Sequence, residues 1–497
     1  MEGDFPAWLR ITHFVNIIFI TLLIRSGIEI LAAHPRLYFN DHSKIGTEWA
    51  RFTRKRMPKD KLWTALDEEE DYSSIIALPG HVNLGLGRHW HFISVIGWIL
   101  CGLVYVVLLF ATGQWWHNMV PQSWSIFPRA YQNVVTYLSF SLPPDLPGQP
   151  YDAIQKLTYF AVVFILAPFQ ILTGAAQSPA IEARFPWYVR MFGGRQWARS
   201  LHFLALLAFL AFVVIHVAMI IIHGFGKTVA LMIFGAEVYP LTSTIIALVA
   251  LGGVVVLHWA ATKYSLRYPR ATQKGLGFIV NNARRALLHR LTSHQEYQEA
   301  DLTLAHRVNG KPPSDDAYKI MGAHEFADWK LEVGGLVENS MTFTLEDLRT
   351  FPTKQTQRTL HNCIQGWTSI GEWTGVPFRQ IVELVKPLPQ AKYIYFHSMQ
   401  DVGRDEADPK GLGDFYEVID LDPLAYHPQT LLAYEKNGEP LPIEHGAPLR
   451  LRVETSVGFK MVKWIDRIEF IDDYKKIGAG MGGHREDNMY YDKEGEI

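Results

Sequence analysis

Cysteine is nearly absent. Cys101 and Cys363 are the only two in 497 residues, and they lie far apart in unlike segments, which excludes a disulfide framework. Net charge is slight, −2 at pH 7, and no basic stripe with interleaved aromatics occurs, so nothing points to a nucleic-acid partner. There is no internal repeat and no low-complexity tract. Beyond about residue 300 long apolar runs are missing too, and that part reads as a soluble domain.

Before that point the chain is the opposite. Five apolar runs, Leu9–Ala33, Trp90–Thr112, Leu157–Ala176, Leu201–Ile222 and Leu241–Ala261, each approach the ~20 residues a hydrocarbon core demands. The first is too long for a cleavable leader, although Arg25 and Glu29 blur its end. The 48% hydrophobic content therefore averages two unlike parts, a multi-pass membrane region and a soluble region. Pro35 to Arg88, polar and carrying Trp49 and Trp63, reads as an interfacial cap with short helices. Lys263–Arg290 holds seven Lys or Arg and no acid, the pattern of a solvated linker gripping lipid headgroups.

Histidines inside apolar runs need a reason, because a buried imidazole is costly. One alone is as readily a satisfied polar group or a proton-path residue. His202 and His216 share one run at a spacing of fourteen, which at about 100° and 1.5 Å per residue puts them on one helix face roughly 21 Å apart. With spans alternating in direction, His13 falls level with His216 and His91 level with His202. Two bis-histidine sites result, one per leaflet. Haem suits them, since two neutral imidazoles across a porphyrin give six-coordinate iron fit for electron transfer. His89 competes with His91, which lies deeper in its run. Arg88 and Arg199, beside the second pair, are candidates for holding haem propionates. His258, in the fifth span, lacks a partner in this pattern and reads as structural or as near a quinone pocket.

The stretches LRITHF, GRHWHF, FGGRQWARSLHF and VIHV resemble the di-haem cytochrome b subunits of formate dehydrogenases, nickel hydrogenases and, most closely, thiosulfate reductase, over about residues 8–262. That resemblance implies ligands from spans one, two and four, here His13, His91, His202 and His216, two b haems, and electron exchange with a membrane quinone or quinol. It also implies a bacterial cytoplasmic (inner) membrane.

From residue 302 the runs WKLEVGGLV, YIYFHS, LRLRVETSV and WIDRIEFI alternate with Gly and Pro turns and read as strands, with helices expected at Leu345–Phe351 and Pro377–Val385. The domain division is 1–262 membrane, 263–301 basic linker and 302–497 α+β. A lone cysteine is usually a buried small hydrophobe, but Cys363 sits among polar neighbours before a Gly-Trp turn, where a thiolate can reach a soft metal.

From about Trp329 to Asp472 the chain resembles the sulfite oxidase superfamily of molybdenum enzymes. The correspondence lies in the WxLxVxGLV opening, the cysteine followed by GW and then WTGVPF, the run NGEPLPIEHGAPLR, and GFKMVKWIDRIEF. With the five apolar runs before it, this gives a five-span all-α bundle followed by a molybdopterin-binding α+β domain of the kind the resemblance implies. The resemblance makes Cys363 the molybdenum ligand and assigns the pterin to His445, Arg450, Lys460 and Lys463, with Gly458 and Phe459 offering backbone. Arg and Lys donors suit a buried phosphate-bearing anion. Cys363 is followed by Ile-Gln-Gly-Trp, where eukaryotic sulfite oxidases and nitrate reductases carry Ala-Gly-Asn, and only some 25 residues follow Asp472. Both departures bring the chain nearer the periplasmic methionine sulfoxide reductase branch.

The expected activity is oxygen-atom transfer on a small oxo-donor or oxo-acceptor, sulfoxide-type reduction first and sulfite-type oxidation second. A different class is a quinone-linked cytochrome with a non-catalytic docking domain, which Cys363, Arg450 and Lys463 together argue against. Five spans put the termini on opposite sides. The basic Lys263–Arg290 segment, against Lys227 alone in 224–240, favours a cytoplasmic C-terminal domain, and no Arg-Arg pair precedes the fifth span to direct folded export. The electron-donating relatives that lie outside argue the other way.

Overall fold

The computed structural model describes residues 5–139, 141–143, 151–288, 295–303, 305–406 and 411–493. Within them five helices are long and apolar enough to cross a membrane: Ala7–Ala33, Leu84–Ala111, Ala153–Ala176, Arg195–Ile222 and Pro240–Arg267. Each contains one of the expected runs nearly whole and extends it into the interface, so the protein is a multi-pass membrane protein. Pro240 opens the fifth span, where a missing N–H costs nothing. Gly97 of the second span lies under the Phe19 ring of the first, where a Cβ would collide with it, and so the two helices cross closely.

Arg25 and Glu29 belong to the first span and have a clear task. The Glu29 carboxylate accepts from the backbone N–H of Gly80 at 2.9 Å and Asn83 at 2.7 Å, while Arg25 donates to the carbonyls of Ser74 and Ala77. The two charges fasten the returning chain to the end of the helix. The cap between the first two spans departs from expectation. It has one helical turn, Leu66–Glu68, and a two-residue antiparallel pairing of Arg36–Leu37 with Ala50–Arg51; the rest is irregular, held by side chains.

The basic segment is likewise corrected. Instead of a linker, Pro269–Leu288 is a helix that packs along the second span. Arg270 donates to the carbonyls of Glu486 and Asp487 at 2.9 and 2.7 Å, and Gln273 to that of Tyr491 at 2.6 Å. Arg290 lies outside the described residues.

The C-terminal part holds two five-stranded sheets. In the first, Leu431–Lys436 lies between Thr368–Pro377 and the short strands Glu439–Pro440 and Arg450–Arg452, and Gln355–Asn362 forms the far edge, all antiparallel. In the second, Ile465–Ile471 runs parallel to Lys330–Gly335 and antiparallel to Tyr393–Asp401; Met341–Thr344 and Asp414–Asp420 are its edges. Leu331, Trp373, Phe378, Phe396, Leu432 and Ile468, nearly fully buried, form one core between them. The expected helices appear at Leu345–Arg349 and Phe378–Val385. The first begins with a capping box, in which Thr344 and Asp347 satisfy each other's backbone N–H.

Candidate functional site

Four of the membrane histidines come together in pairs. The rings of His13 and His216 lie with centroids 6.2 Å apart, tilted by 54° to one another. Two imidazole–metal bonds of roughly 2 Å each, plus about 1 Å from each nitrogen to its ring centre, require about 6 Å, so this pair is spaced for one iron between them. His216 also stacks on Phe212 at 5.4 Å. At the opposite end of the bundle, His91 and His202 lie within electrostatic reach of each other. His202 Nδ1 is 3.1 Å from the Gln170 carbonyl and 3.2 Å from Thr173 Oγ1. His91 Nδ1 is 3.1 Å from Ser26 Oγ. A partner on Nδ1 fixes the tautomer that leaves Nε2 for metal; His202 Nε2 meets the Gln170 amide at 3.1 Å. Glycines flank both rings: a Cβ on Gly174 would stand 3.2 Å from His202, and one on Gly27 3.7 Å from His91.

The other membrane candidates separate from these. His89 has both ring nitrogens bonded, Nδ1 to the Gly85 carbonyl at 2.7 Å and Nε2 to Asp492 at 2.9 Å. His258 is likewise occupied, by Arg25 and Thr21, each at 2.9 Å. Arg199, expected beside a propionate, instead donates to the carbonyls of His34 and Arg36. Both terminal nitrogens of its guanidinium thus hold the cap. Arg88 sits 5.3 Å from the Phe92 ring and has no hydrogen-bond partner among the described residues.

In the C-terminal domain, Cys363 follows strand Gln355–Asn362 and closes a tight turn, its N–H bonded to the Trp367 carbonyl and its own carbonyl to Gly366 N–H, both at 3.1 Å. Its Sγ is buried, 3.6 Å from Asn309 Nδ2 and 3.4 Å from Gln365 Oε1. Burial pushes the thiol up to about 12. A thiolate at this position therefore needs a cation of its own, as a metal would supply.

Beside it is an unusual excess of buried positive charge. Arg450, Arg452 and Lys436 stack around the Trp373 ring at 4.6, 4.4 and 5.7 Å. His306 touches the same ring at 5.6 Å, and lies 5.2 Å from His445 and 5.7 Å from His361. Burial, then the charge of Arg450, lowers Lys436 to about 7. Burial and neighbouring cations hold His306, His361 and His445 below the usual imidazole range. Glu454 pairs directly with Arg452, at 2.8 Å. Arg450 Nε, His306 Nδ1 and Asn309 Oδ1 are buried without partners. An orphaned Arg450 Nε–H among buried cations fits an anionic group such as a pterin dithiolene with its phosphate, and the orphaned Asn309 Oδ1 is left to accept from a donor on that group.

The expected anchors divide. His445 and Arg450 lie in this cluster. Gly458 presses on His361, where a Cβ would overlap the ring. Lys463 is next to the pocket, but its three donors go to the carbonyls of Asn309, Gly310 and Glu444. Lys460 is turned away: it pairs with buried Glu417 at 2.8 Å and with Glu486, and bonds the Val418 and Gly482 carbonyls. The carboxylates outcompete the pocket for its charge. Phe459 packs with Tyr491, Ala33 and Leu84 in a small core joining the two parts of the chain. His306, Asn309 and Lys436 gave no sequence signal. His361 and Arg452 did lie on strands whose residues are buried on both faces.

The two sites meet. Arg195, at the head of the span carrying His202 and His216, donates to Asn362 Oδ1 at 2.8 Å, and Gln196 Nε2 donates to the Gly366 carbonyl at 2.8 Å. The cysteine turn therefore rests on that helix.

Residues 4–235 match the family model of prokaryotic cytochrome b561, and residues 319–477 that of the oxidoreductase molybdopterin binding domain. The protein thus joins a cytochrome b561 membrane domain to a sulfite-oxidase-type molybdopterin-binding domain. It is 33% identical over 194 residues, 39% of this chain and 64% of the relative, to an Azospira oryzae protein provisionally named a protein-methionine-sulfoxide reductase subunit. It is also similar to proteins named as the catalytic subunit of protein-methionine-sulfoxide reductase. The one from Campylobacter jejuni is 31% identical over 30% of this chain and 51% of that one; the one from Ralstonia nicotianae is 33% identical over 33% and 49%. The chain spans less than two thirds of each of these relatives.

Proposed function

We propose that the protein is an oxidoreductase of a bacterial cytoplasmic membrane that takes electrons from a quinol and uses them to remove oxygen from a sulfoxide-type substrate. The observation that carries this reading is the Arg195–Asn362 hydrogen bond, because it fixes the turn of the candidate metal ligand to the helix bearing two candidate haem ligands. The names of the similar proteins support the substrate type. When bound, two b haems would supply single-electron relay and molybdenum with molybdopterin would supply two-electron oxygen-atom transfer.

The chain's own residues do the rest. His13 and His216 would hold one haem, His91 and His202 the other, with Arg88 free for a propionate. Cys363 would hold molybdenum, and His445, Arg450, His306 and His361 would surround the pterin. Lys463 positions the Asn309–Gly310 turn against Cys363. An apolar cavity of about 330 Å³ lined by Leu157, Val162, Leu166 and Phe212 opens beside His216, at the end of the bundle remote from the C-terminal domain, and a quinol ring would enter there. The basic residues after the fifth span, against Lys227 alone in 224–240, support a cytoplasmic face for the C-terminal domain.

The test is turnover of the purified full-length protein with a quinol analogue and a panel of sulfoxides, N-oxides and sulfite, alongside a metal assay. Sulfoxide-dependent quinol oxidation with one molybdenum per chain is expected. Sulfite-dependent quinone reduction alone would reverse the direction, and absence of molybdenum would leave a docking domain.

A further inference from the structure

Whatever surrounds the Cys363 sulfur also surrounds any metal bound to it, and part of that surround comes from the membrane domain. Ala65, in the cap between the first two spans, packs with Cys363 and Trp367 in one small buried cluster. Its N–H donates to the Val308 carbonyl at 2.8 Å, one residue before the Asn309 whose amide touches Sγ. Glu69 accepts from Gln365 Nε2 at 2.5 Å, and Gln365 Oε1 is the other polar contact of the sulfur. Cap residues therefore bond one neighbour of Sγ, Gln365, directly, and hold the backbone next to the other, Asn309.

The cap is anchored from several directions. Arg307 pairs with Glu68, 1% exposed, at 2.9 Å and donates to the Ser43 carbonyl and Tyr38 Oη. Arg36 lies 3.6 Å from the same Glu68, and Lys311 lies 3.6 Å from Asp67. Ser43 Oγ donates to the Thr368 carbonyl at 3.3 Å, and Arg199 holds the carbonyls of His34 and Arg36. Displacing it would strand several buried charges without their partners.

From this arrangement we infer that Thr64–Glu69 is a fixed wall of the substrate pocket, supplied by the cytochrome part, and that it limits the substrate to a small molecule. Methionine sulfoxide held within a polypeptide chain does not pass it. Ala65 sets the size limit, and Glu69 acts as a positioning residue through Gln365. The inference rests on the sulfoxide reading above and adds the substrate class to it.

The experiment uses full-length protein loaded with its cofactors and a quinol analogue, comparing dimethyl sulfoxide, free methionine sulfoxide and methionine-oxidised casein. The two small sulfoxides are expected to turn over, with kcat/KM for casein about a hundredfold lower than for free methionine sulfoxide. Ala65→Leu should raise KM for methionine sulfoxide about tenfold and affect dimethyl sulfoxide less, with haem and molybdenum contents unchanged. Casein turning over as well as the free sulfoxide, or equal effects of Ala65→Leu on both small substrates, overturns the inference. Turnover of no sulfoxide overturns the proposed function instead. The wall is then read without substrate by hydrogen exchange of a peptide spanning 64–69. Protection like that of strand Gln355–Asn362 supports a fixed wall; exchange at the rate of an open loop refutes it.

Discussion

Arg195 donates to Asn362 at 2.8 Å, so the helix that carries His202 begins one hydrogen bond from the residue preceding Cys363. The same guanidinium donates to the Gln177 carbonyl at 2.8 Å and ties the third and fourth spans together at the same point. A buried arginine with both contacts leaves the cysteine turn little freedom relative to the bundle.

Arg195→Ala should therefore loosen that turn and leave Asn362 unpaired. A lost hydrogen bond to a charged group is worth about 1.5–3 kcal/mol, or about tenfold or more in rate if it is expressed in alignment. Stopped-flow oxidation of pre-reduced haem on adding substrate should slow accordingly, while the haem absorption spectrum stays the same. An unchanged rate would show that the contact is only structural.

For the membrane pairs the expectation is a pattern of losses. His91→Ala and His202→Ala should remove the same haem, and His13→Ala and His216→Ala the other. Pyridine haemochrome assays would then read one haem per chain in place of two, and redox titration would show which component has gone. If the His13 and His91 variants lack the same component, the pairing is wrong.

Cys363→Ser should abolish turnover while both haems remain reducible by dithionite, because a hydroxyl is a poorer ligand for a soft metal. Full activity in this variant would remove the molybdenum assignment altogether.

Lys460→Met tests the reassignment of that lysine. With its ammonium gone, Glu417 and Glu486 face each other uncompensated, and removing one partner of a buried ion network costs about 3–5 kcal/mol. Thermal unfolding should begin at clearly lower temperature. Loss of cofactor from a variant of undiminished stability would instead return Lys460 to the pocket.

Glu69 carries a pH signature. Burial raises it to about 7, so the folded state holds a proton that the unfolded chain releases near 4.5. Stability should fall as pH rises from about 4.5 through 7, by on the order of 3 kcal/mol. Glu69→Gln keeps an acceptor for Gln365 and should flatten that part of the stability profile. A profile that is already flat in the unaltered protein would show Glu69 to be ionised throughout.

Much is legible in the sequence, and for definite reasons. Cys363 stood out because a lone cysteine among Asn, Gln and Gly-Trp is out of place in a hydrophobic core. His202 and His216 stood out because helical periodicity converts a spacing into a face. Other expectations failed where a charge had a nearer partner than the one imagined. Arg199 met carbonyls of the cap, and Lys460 met Glu417 and Glu486, 43 and 26 residues away in sequence. His306 and Asn309 lie in an irregular stretch with no period to read.

The sequence by itself determined the five spans, the α+β character of the C-terminal domain and the residue types able to bind haem and molybdenum, because these follow from local hydrophobicity, helical phase and short motifs. Only the tertiary structure decided which basic residues face the pocket, that the cap becomes a wall beside Cys363, and that Arg195 reaches Asn362. Those outcomes are contests between partners far apart in the chain. They are settled by which buried charge finds the nearest compensating group once the whole molecule is assembled.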